Sequence, residues 1–535
     1  MISVVLKLDR DRLWGWHAAL RQHLGALPSV SVEITVDASS GPARPLPSAV
    51  RQVFALERLG GRAAHPAFTA LDPQFLSAAA TDEPGPRPQL IVDLVATTLP
   101  ATTGPATPRP PRTLIPLYDG KPGEDAMWAA LLAGRQPYLA VYDNAADCTA
   151  GGVIDIGQCA IETPHALQRA AASVVVRLIE GLAHVVTGGL TTREDLTARR
   201  SPVPSVGLGA AAGIVGRKLS AKTRRVTDRV RGAEQWSVAW ASREAGSAWP
   251  SQRLSGRGVR RTLPLDPRDY HLLPDDGRRY YADPFLFEHN GEVHLFVEEL
   301  PYATNRGIIS ATTLPSHGSL PATPRPVLET AFHLSYPQLF ARDGEIWMLP
   351  EQNQSGALIL YRAKRFPDVW EPAATLIDQP LHDATLFDHG GRLWIAATHE
   401  GPVSAGTRWG SSWDALTLYH APHLLGPWTR HVGNPVLIDA ATGRSAGPMF
   451  YAADGRLIRP VQDCSTGYGM ALGLARIDRL DETTYAQSIV GRIAFADGHG
   501  LTGPHTLSRL EGRAKSIEAI DVFGRRNALA KAFRR

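Results

Sequence analysis

Four similar segments in the second half of the chain constrain its fold more than any other feature. Each has an apolar strand that ends in Phe, a two-residue turn that contains Gly, and a second apolar strand. Such Gly dipeptides favour two-residue hairpins, because those turns need positive φ. The segments begin 53, 47 and 64 residues apart, the spacing of four-stranded propeller blades. They cover residues 282–299, 335–352, 382–399 and 446–463.

A weaker fifth copy follows at 505–521, with its turn at Glu511-Gly512. The strand at 235–241 precedes the first copy, so it could close a ring by pairing with the last one. Closure would remove an exposed sheet edge. The sequence therefore predicts an all-β, five-bladed β-propeller over residues 233–525.

The first half of the chain has a different pattern. Strands such as ISVVLKL and QLIVDLVAT alternate with the helical stretch LWGWHAALRQHLGAL. This alternation is typical of α/β domains with a parallel sheet. We expect a Rossmann-like α/β domain over residues 1–195.

A basic segment joins the two halves. Nine Lys/Arg and one acid lie between Arg199 and Arg231, although the whole chain carries a net charge of only +4. Residues 207–231 begin apolar and become basic, which fits a solvated linker helix or an amphipathic helix on a membrane surface. No aromatic residues separate the charges, so nucleic acid is not an expected partner. We predict a linker over 196–232 and a basic tail over 526–535.

Composition bounds the class of protein. The 535 residues are 44% apolar and 20% charged, as expected of a folded chain with two or three domains. There is no run of 18 apolar residues, and the N-terminus is a poor signal peptide. Cys148, Cys159 and Cys464 lack metal-ligand spacing. We expect a bacterial cytoplasmic protein, with contact to the inner membrane surface as an alternative, and no cofactor or metal.

The open ends of the hairpins carry acidic residues. Residues at equal distances from a two-residue turn face each other, which pairs Asp283 with Glu298, Tyr336 with Glu351, and Asp383 with Thr398. If the hairpins form the inner strands of blades, these ends converge. Crowded carboxylates raise one another's pKa and can divide acid and base roles. The candidate catalytic residues are Asp283, Glu351 and Asp383.

Sugar recognition needs planar faces for stacking together with polar groups. Trp409 and Trp413 could form a rim, although one of them is expected in the core. Tyr281 and Tyr336 could equally be core residues. The candidate substrate-binding residues are Tyr281, Glu298, His333, Tyr336, His382, Arg459, Asp463 and His505.

Several motifs occur together in this half: ADPF at 282–285, HLSYP at 333–337, PE at 350–351, DATLF at 383–387, LLGPW at 424–428 and RPVQDC at 459–464. In combination they resemble the N-terminal propeller domain of plant glucosamine inositolphosphorylceramide transferase and its bacterial relatives. More distantly, this part is similar to five-bladed glycoside hydrolases such as arabinanases and β-xylosidases. That resemblance implies a general base at Asp283 and a tuning role for Asp383. The general acid of those hydrolases, a Glu from blade four, has no counterpart in SAGPMF.

The first half resembles the N-terminal domain of methionyl-tRNA formyltransferase-like proteins. The matching features are Tyr118-Asp119-Gly120, a helix with Trp128, and Ile154-Asp155-x-Gly157. Those enzymes place an Asn and a His ahead of the Asp, and the corresponding segment here has neither. We therefore predict a degenerate domain used for binding or docking. No G-x-G-x-x-G follows its first strand, so a dinucleotide site lacks support.

The leading functional hypothesis is a glycosyltransferase in the synthesis of cell-surface polysaccharide or glycolipid. It implies an activated sugar donor and a glycan or glycolipid acceptor as partners. Three alternatives remain open: a glycoside hydrolase that uses the same carboxylates, a non-catalytic glycan-binding scaffold, and a sugar formyltransferase that acts through the first domain.

Overall fold

The computed structural model divides the chain into two compact units. The first unit is Met1–Arg224 with Glu400–Ser411, and the second is Arg225–His399 with Ser412–Arg535. The residues described are 2–37, 44–59, 63–71, 89–100, 111–144, 152–188, 212–220, 223, 234–244, 261–315, 321–401, 403–404, 407–452, 454–495, 500–511 and 515–533.

The elements of the first half, in chain order, are β1 (Ile2–Asp9), α1 (Gly15–Gly25), β2 (Val30–Asp37), α2 (Ser48–Leu59), β3 (Leu90–Asp93), β4 (Arg112–Tyr118), β5 (Lys121–Pro122), α3 (Glu124–Leu132), β6 (Tyr138–Asp143), β7 (Val153–Gln158) and α4 (Leu167–Val186). In the second half they are β8 (Glu234–Glu244), β9 (Arg261–Leu265), β10 (His271–Leu272), β11 (Arg279–His289), β12 (Glu292–Pro301), β13 (Ile308–Leu314), β14 (Arg325–Leu328), β15 (Ser335–Arg342), β16 (Glu345–Glu351), β17 (Leu358–Arg365), β18 (Val369–Ile377), β19 (His382–His389), β20 (Arg392–Thr398), β21 (Val403–Ser404), β22 (Thr407–Arg408), β23 (Ala415–Ala421), β24 (Thr429–Arg430), β25 (Leu437–Asp439), β26 (Phe450–Tyr451), β27 (Leu457–Asp463), β28 (Ala471–Leu480), β29 (Tyr485–Phe495), β30 (Leu507–Glu511), β31 (Lys515–Arg525) and α5 (Arg526–Ala532).

The first unit contains a mixed sheet with the strand order β7-β6-β4-β3-β1-β2. The strands β1 to β4 pair in parallel, whereas β6 pairs antiparallel with β4 and with β7. Helix α4 is almost entirely buried, and its Arg177 donates to the carbonyl of Ser411 at 2.6 Å. The short segment 400–411 is therefore held within this unit. The formyltransferase-like assignment stays a prediction.

Part of the basic segment is described, and residues 212–220 are helical. Ile214 is buried, and Arg217 donates to the carbonyls of Leu131 and Leu132 at the end of α3. The rest of 207–231, except Thr223, lies outside the described residues. Among the helices that the structure describes, none combines the length and the apolar character needed to cross a membrane.

The second unit consists of small sheets that are antiparallel except for the parallel pair of β29 with β9. Their strand orders are β11-β12-β13-β14, β15-β16-β17-β18, β19-β20-β23-β25, β26-β27-β28-β29-β9 and β10-β8-β31-β30. All four predicted hairpins are confirmed, as β11–β12, β15–β16, β19–β20 and β26–β27. The predicted pairing of the strand at 235–241 is also confirmed, because β8 lies against β31. The arrangement is propeller-like.

The predicted register at the open hairpin ends is wrong by one residue. The structure pairs Ala282 with Glu298, Ser335 with Glu351, and His382 with Thr398, because each inner strand has a bulge after its paired residue. The next residue has a left-handed backbone: φ is 48° at Asp283, 49° at Tyr336 and 45° at Asp383. The hairpin arithmetic assumed regular pairing, and a bulge inserts one unpaired residue.

Two glycines extend this series. Gly447 (φ 120°) occupies the same place in the fourth repeat, and Gly503 (φ 98°) lies two residues before the fifth repeat. The five positions with positive φ are Asp283, Tyr336, Asp383, Gly447 and Gly503, and in all but the third the next residue is Pro. Proline has no N–H to donate, which suits a point where strand pairing is interrupted.

The predicted basic tail is largely folded. Residues 526–532 form α5, and Leu529, Ala532 and Phe533 pack into the core with Phe495. Their spacing places three apolar side chains on one helix face. The sequence analysis missed this helix because its apolar pattern is short and follows the charged Arg525 and Arg526.

Candidate active site

The bulges form a chain of contacts between neighbouring repeats. The N–H of Tyr336 donates to Asp283 Oδ2 at 3.2 Å, and the N–H of Asp383 donates to Glu351 Oε2 at 2.9 Å. The N–H of Asp283 in turn donates to Asp521 Oδ2 at 3.3 Å. At these three positions the bulge frees a backbone donor, and a buried acid of a neighbouring repeat accepts from it. This pattern gathers the acids into one buried cluster.

Asp283 is only 4% exposed, and it contacts a hydroxyl group and a histidine where Asp383 contacts an arginine. The Thr506 hydroxyl donates to its Oδ1 at 2.6 Å, and His505 Nε2 lies 3.4 Å from the same oxygen. Burial raises the pKa of Asp283; His505 opposes the shift, and the neighbouring carboxylates, Asp383 foremost, add to it. Asp283 is therefore an acid that can exchange a proton near neutral pH.

His505 lies between two carboxylates. Its Nδ1 is 2.6 Å from Asp521 Oδ2, while Nε2 faces Asp283. Burial opposes the charged form, but Asp521 and Asp283 together raise the pKa of His505 to about 9. Asp521 is itself fixed by the backbone N–H groups of His505 and Thr506, at 2.8 and 3.0 Å. At neutral pH His505 is therefore an imidazolium that lies between the carboxyl groups of Asp283 and Asp521.

The same three side chains form the one potential metal-ligand set among the described residues. Asp283, His505 and Asp521 each offer a ligand atom, all within 4.8 Å of one another. Sequence spacing did not reveal this set, because its members come from distant parts of the chain. His505 and Asp521 already form an ion pair, so the three groups satisfy one another as they stand.

Asp383 has strongly charged surroundings. Arg444 approaches it with two nitrogens, Nε at 2.5 Å and Nη2 at 3.1 Å. Gln462 Nε2 donates to the same carboxylate at 2.6 Å. Burial raises the pKa of Asp383, and the guanidinium counters this. A fork-shaped Arg contact fixes both the charge and the orientation of a carboxylate.

Two further acids pair with histidines. Glu351 Oε1 lies 3.1 Å from His382 Nδ1; burial would raise the pKa of Glu351, but His382 and Arg444 lower it below its usual range. Glu298 Oε1 lies 3.1 Å from His333 Nε2. His333 Nδ1 accepts from the N–H of Gly307, which makes Nε2 the donor to Glu298.

An aromatic group lies beside the acids. Tyr468 is 36% exposed, and its ring lies 5.3 Å from the Arg444 guanidinium. Trp413 and His505 approach the same ring at centroid distances of 5.6 and 5.2 Å, and Trp236 meets it edge-on at 6.2 Å. Such a surface can stack against a sugar ring.

Several predicted residues have structural contacts instead. Tyr281 lies in the hydrophobic core, and the half-buried Tyr280 has Glu298 and Asp283 as its charged neighbours. The Tyr336 hydroxyl contacts Thr385 at 2.9 Å and accepts from the N–H of Gly447 at 2.6 Å. The bulge explains the exchange of Tyr280 for Tyr281, because it shifts the face on which each residue lies.

Arg459 and Asp463 support the loops around the cluster. Arg459 donates to the carbonyls of Thr442 and Gly443, beside Arg444. Asp463 accepts from the N–H of Ser465 at 3.1 Å and pairs with Arg492 at 2.7 Å, ahead of the loop that carries Tyr468. Trp409 is buried, whereas Trp413 is half-buried against Tyr468.

The alignment of the repeats could have identified two site residues that the sequence analysis missed. Each segment has a polar residue sixteen positions after its start, and all five are buried: Glu298, Glu351, Thr398, Gln462 and Asp521. This shared position in the repeats identifies Gln462 and Asp521. Arg444 and Tyr468 lie in connections outside the repeated hairpins, so nothing in the repeats indicates them.

Residues 275–496 match the family model described as "Glucosamine inositolphosphorylceramide transferase 1, N-terminal". Glucosamine inositolphosphorylceramide transferase 1 of Oryza sativa subsp. japonica is 35% identical over 210 residues, and that of Arabidopsis thaliana is 32% identical over 212. Each match covers 39% of this chain and 27% of the relative, so the chain spans about a quarter of these relatives' length. The resemblance of the C-terminal part to this family is confirmed.

Among solved structures, the Cellvibrio cellulosa α-L-arabinanase complexed with arabinohexaose is similar at 16% identity and a TM-score of 0.29. The match covers 40% of this chain and 78% of that one.

Proposed function

We propose that the buried acid cluster is the active site of a carbohydrate-active enzyme. It would transfer a glycosyl unit from an activated donor to a hydroxyl of a glycan or glycolipid, with Asp283 as the general base. The observation that carries this proposal is the contrast between Asp283, which contacts a hydroxyl, a backbone N–H and the protonated His505, and Asp383, which two nitrogens of Arg444 hold in an ion pair. The names of the relatives support a transferase in glycolipid synthesis.

The fourth repeat, which is described at this point, has no carboxyl group in the place of the glycosidases' general acid, and this favours transfer over hydrolysis. Glycosidases in general use a pair of carboxyl groups, one of which protonates the leaving group. Asp383 and Glu351 both face Arg444, which favours their ionised forms, and Ser445-Ala446-Gly447 of the fourth repeat offers no carboxylate. A phosphate leaving group departs without a proton, so one base is enough for an activated donor.

In this proposal the acceptor sugar stacks against Tyr468 and Trp413. Its hydroxyl donates to Asp283, which takes the proton as the hydroxyl attacks the donor. His505, which is already protonated, and Asp521 hold Asp283 in place, and the proton stays on Asp283. Glu298 with His333 supplies a further polar pair for substrate hydroxyls.

We also infer five blades. Five positions with positive φ support this count, and so does the contact of Asp521 in the last repeat with the backbone of Asp283 in the first. The pairing of β8 with β31 supplies the closing strand.

The test is turnover by the full-length protein. Nucleotide sugars and polyprenyl-phosphate sugars serve as donors, with glycolipids and oligosaccharides as acceptors, and product is followed by mass spectrometry. We expect transfer that falls at least about 100-fold in Asp283→Asn, the size of a general-base effect. Glu292→Gln, an exposed acid near the hairpin turn, is the matched control and should keep full activity. Release of sugar from aryl glycosides, again dependent on Asp283, would instead identify a hydrolase.

A glycan-binding scaffold is the second candidate. Both oxygens of Asp283 already accept hydrogen bonds, from Thr506 and from the N–H of Tyr336, so the cluster is saturated without substrate. Oligosaccharide that raises the melting temperature equally in wild type and Asp283→Asn, with no turnover of any donor, would support this function. Formyl transfer by the first unit stays a prediction.

A cytoplasmic location at the inner membrane surface is part of the proposal. On the helix at 212–220, Val215 and Leu219 are exposed four residues apart, within the basic segment. Aliphatic side chains beside cations suit the surface of an anionic bilayer. Co-sedimentation with phosphatidylglycerol vesicles, compared with phosphatidylcholine vesicles, tests this: Val215→Ser with Leu219→Ser should abolish binding, and Leu425→Ser, an exposed residue of the second unit, should not.

A further inference from the structure

The first unit contains a crevice at the carboxyl edge of its parallel strands. Its strand order places β2 and β3 on opposite sides of β1, which creates a topological switch point. In open α/β sheets, ligands bind outside the carboxyl ends of the strands at such points. A cavity of about 580 Å³ lies there, between Asp9 at the end of β1 and Asp93 at the end of β3. That volume suits a small molecule.

Glu124, the first residue of α3, lines this cavity with a buried carboxylate. Its side chain is 10% exposed, and Trp16 Nε1 donates to its Oε1 at 3.3 Å. The other oxygen, Oε2, accepts no hydrogen bond from any described residue, and its nearest cation is Arg12 Nη1 at 3.8 Å. Burial raises the pKa of Glu124 to about 7. A hydroxyl or N–H of a ligand would supply the missing donor.

The other acids of the crevice already have donors. Asp9 Oδ1 accepts from the N–H of Asp11, and Asp93 Oδ1 accepts from the N–H groups of Val95 and Ala96. Asp125 Oδ1 pairs with Arg12 at 2.7 Å. These acids stabilise the loops that form the walls, which leaves Glu124 as the acid with an unused acceptor.

Two exposed cations complete the crevice. Lys121 and Arg44 line the cavity, and neither forms an ion pair with a carboxylate in the part of the chain that the structure describes. Arg44 is held in place by its contact with the carbonyl of Val95 at 3.2 Å. Unpaired Lys and Arg side chains favour an anion, and phosphate is the group they bind most readily in small molecules.

We propose that this crevice binds a phosphate ester of a hydroxyl-rich molecule. Glu124 accepts from a ligand hydroxyl, and Lys121 and Arg44 hold the phosphate. A sugar phosphate and a nucleoside phosphate share this chemistry. The site is separate from the acid cluster of the second unit and does not depend on the function proposed for it.

Isothermal titration calorimetry on the full-length protein tests the site with four probes: glucose 1-phosphate, UMP, inorganic phosphate and glucose. We expect saturable binding of at least one ester. Inorganic phosphate and glucose should bind at least about tenfold more weakly, because each offers only one of the two groups. Stronger binding of glucose 1-phosphate identifies a sugar phosphate site, and stronger binding of UMP identifies a nucleoside phosphate site.

Variants assign the binding to this crevice. Glu124→Gln and Lys121→Ala should each weaken the ester by about tenfold, whereas Asp283→Asn and the exposed control Glu292→Gln should bind within about twofold of wild type. Lys121 is exposed, so its variant keeps the test decisive if Glu124→Gln folds poorly. No saturable binding of either ester, unchanged affinity in Lys121→Ala, or loss of binding in Asp283→Asn would each overturn the proposal. Turnover at the acid cluster is measured separately, so either proposal can fail alone.

Discussion

Asp283 and Asp383 occupy the same position in two repeats and have contrasting surroundings. Both follow the paired residue of an inner strand, both have φ near 45–50°, and both are buried. Asp383 contacts a guanidinium and an amide, whereas Asp283 contacts a hydroxyl, a backbone N–H and an imidazole. The repeated backbone thus determines where a carboxylate lies, and unrepeated neighbours determine whether it carries a fixed charge.

We expect the largest loss of stability from replacing Arg444, the buried partner of Asp383. Arg444→Met should lower the free energy of unfolding by about 3–5 kcal/mol, because it leaves the buried Asp383 without its counter-ion. Urea denaturation measures the loss. Arg365→Met, which removes an exposed ion pair with Asp368, is the control and should cost less than about 1 kcal/mol. Equal losses in the two variants would show that Asp383 has no special dependence on Arg444.

Gly447 tests whether the fourth repeat shares the backbone conformation of the first three. In Gly447→Ala the new Cβ would lie 2.0 Å from the carbonyl oxygen of Leu507, at a φ of 120°. We expect thermal denaturation to show a loss of about 3 kcal/mol from overpacking together with backbone strain. Gly455→Ala has positive φ but open space around it, so it should cost about 1–2 kcal/mol. A tolerated Gly447→Ala would mean that this bulge is not built like the others.

Between pH 6.5 and 9, the stability of the fold should depend on pH through Asp283 and His505, and not through the pair of Asp383 and Arg444. The pKa of His505 is raised from 6.5 to about 9, so its protonation stabilises the fold fully below pH 6.5. That stability is lost as the pH rises towards 9, by up to about 3 kcal/mol. His505→Asn should flatten the stability profile over this window, and the exposed control His423→Asn should not. A wild-type profile that is flat between pH 6.5 and 9 would contradict the imidazolium assignment.

The smallest effect is expected for Asp283→Asn at pH 7. The amide oxygen can keep only one of the two hydrogen bonds that Asp283 accepts, from Thr506 or from the N–H of Tyr336, so the free energy of unfolding should fall by about 1–2 kcal/mol. Asp383→Asn should cost at least about 3 kcal/mol, because Arg444 loses its partner. Both variants replace Asp with Asn at equivalent positions. Equal losses in the free energy of unfolding would therefore show that the surroundings of Asp283 and Asp383 do not differ in their effect on stability.

Much of the second unit could be predicted from its repeats. The Gly turns and apolar strands gave the four hairpins, and the strand at 235–241 gave the pairing of β8 with β31. Asp283, Glu351 and Asp383 could be gathered because they recur at one end of each hairpin. The register failed by one residue, since the bulge depends on contacts with the neighbouring repeat that a single hairpin does not show.

The remaining site residues were beyond the reach of sequence patterns. Arg444 and Tyr468 lie in connections, and Thr506 contacts Asp283 across 223 positions of the chain. In the first unit, the resemblance drew attention to Asp155, whereas the buried carboxylate that lines the cavity belongs to Glu124. Its burial between helices and strand ends is a tertiary property.

The bulges also limit how this site can change by mutation. A left-handed backbone admits Gly, Asn and Asp readily and most other residues at a cost, so few single substitutions are tolerated at positions 283, 383, 447 and 503. Variation in specificity must therefore arise mainly in the connecting loops. A lineage derived from this chain could exchange Tyr468 while Arg444, the buried partner of Asp383, and the backbone at these positions stayed the same.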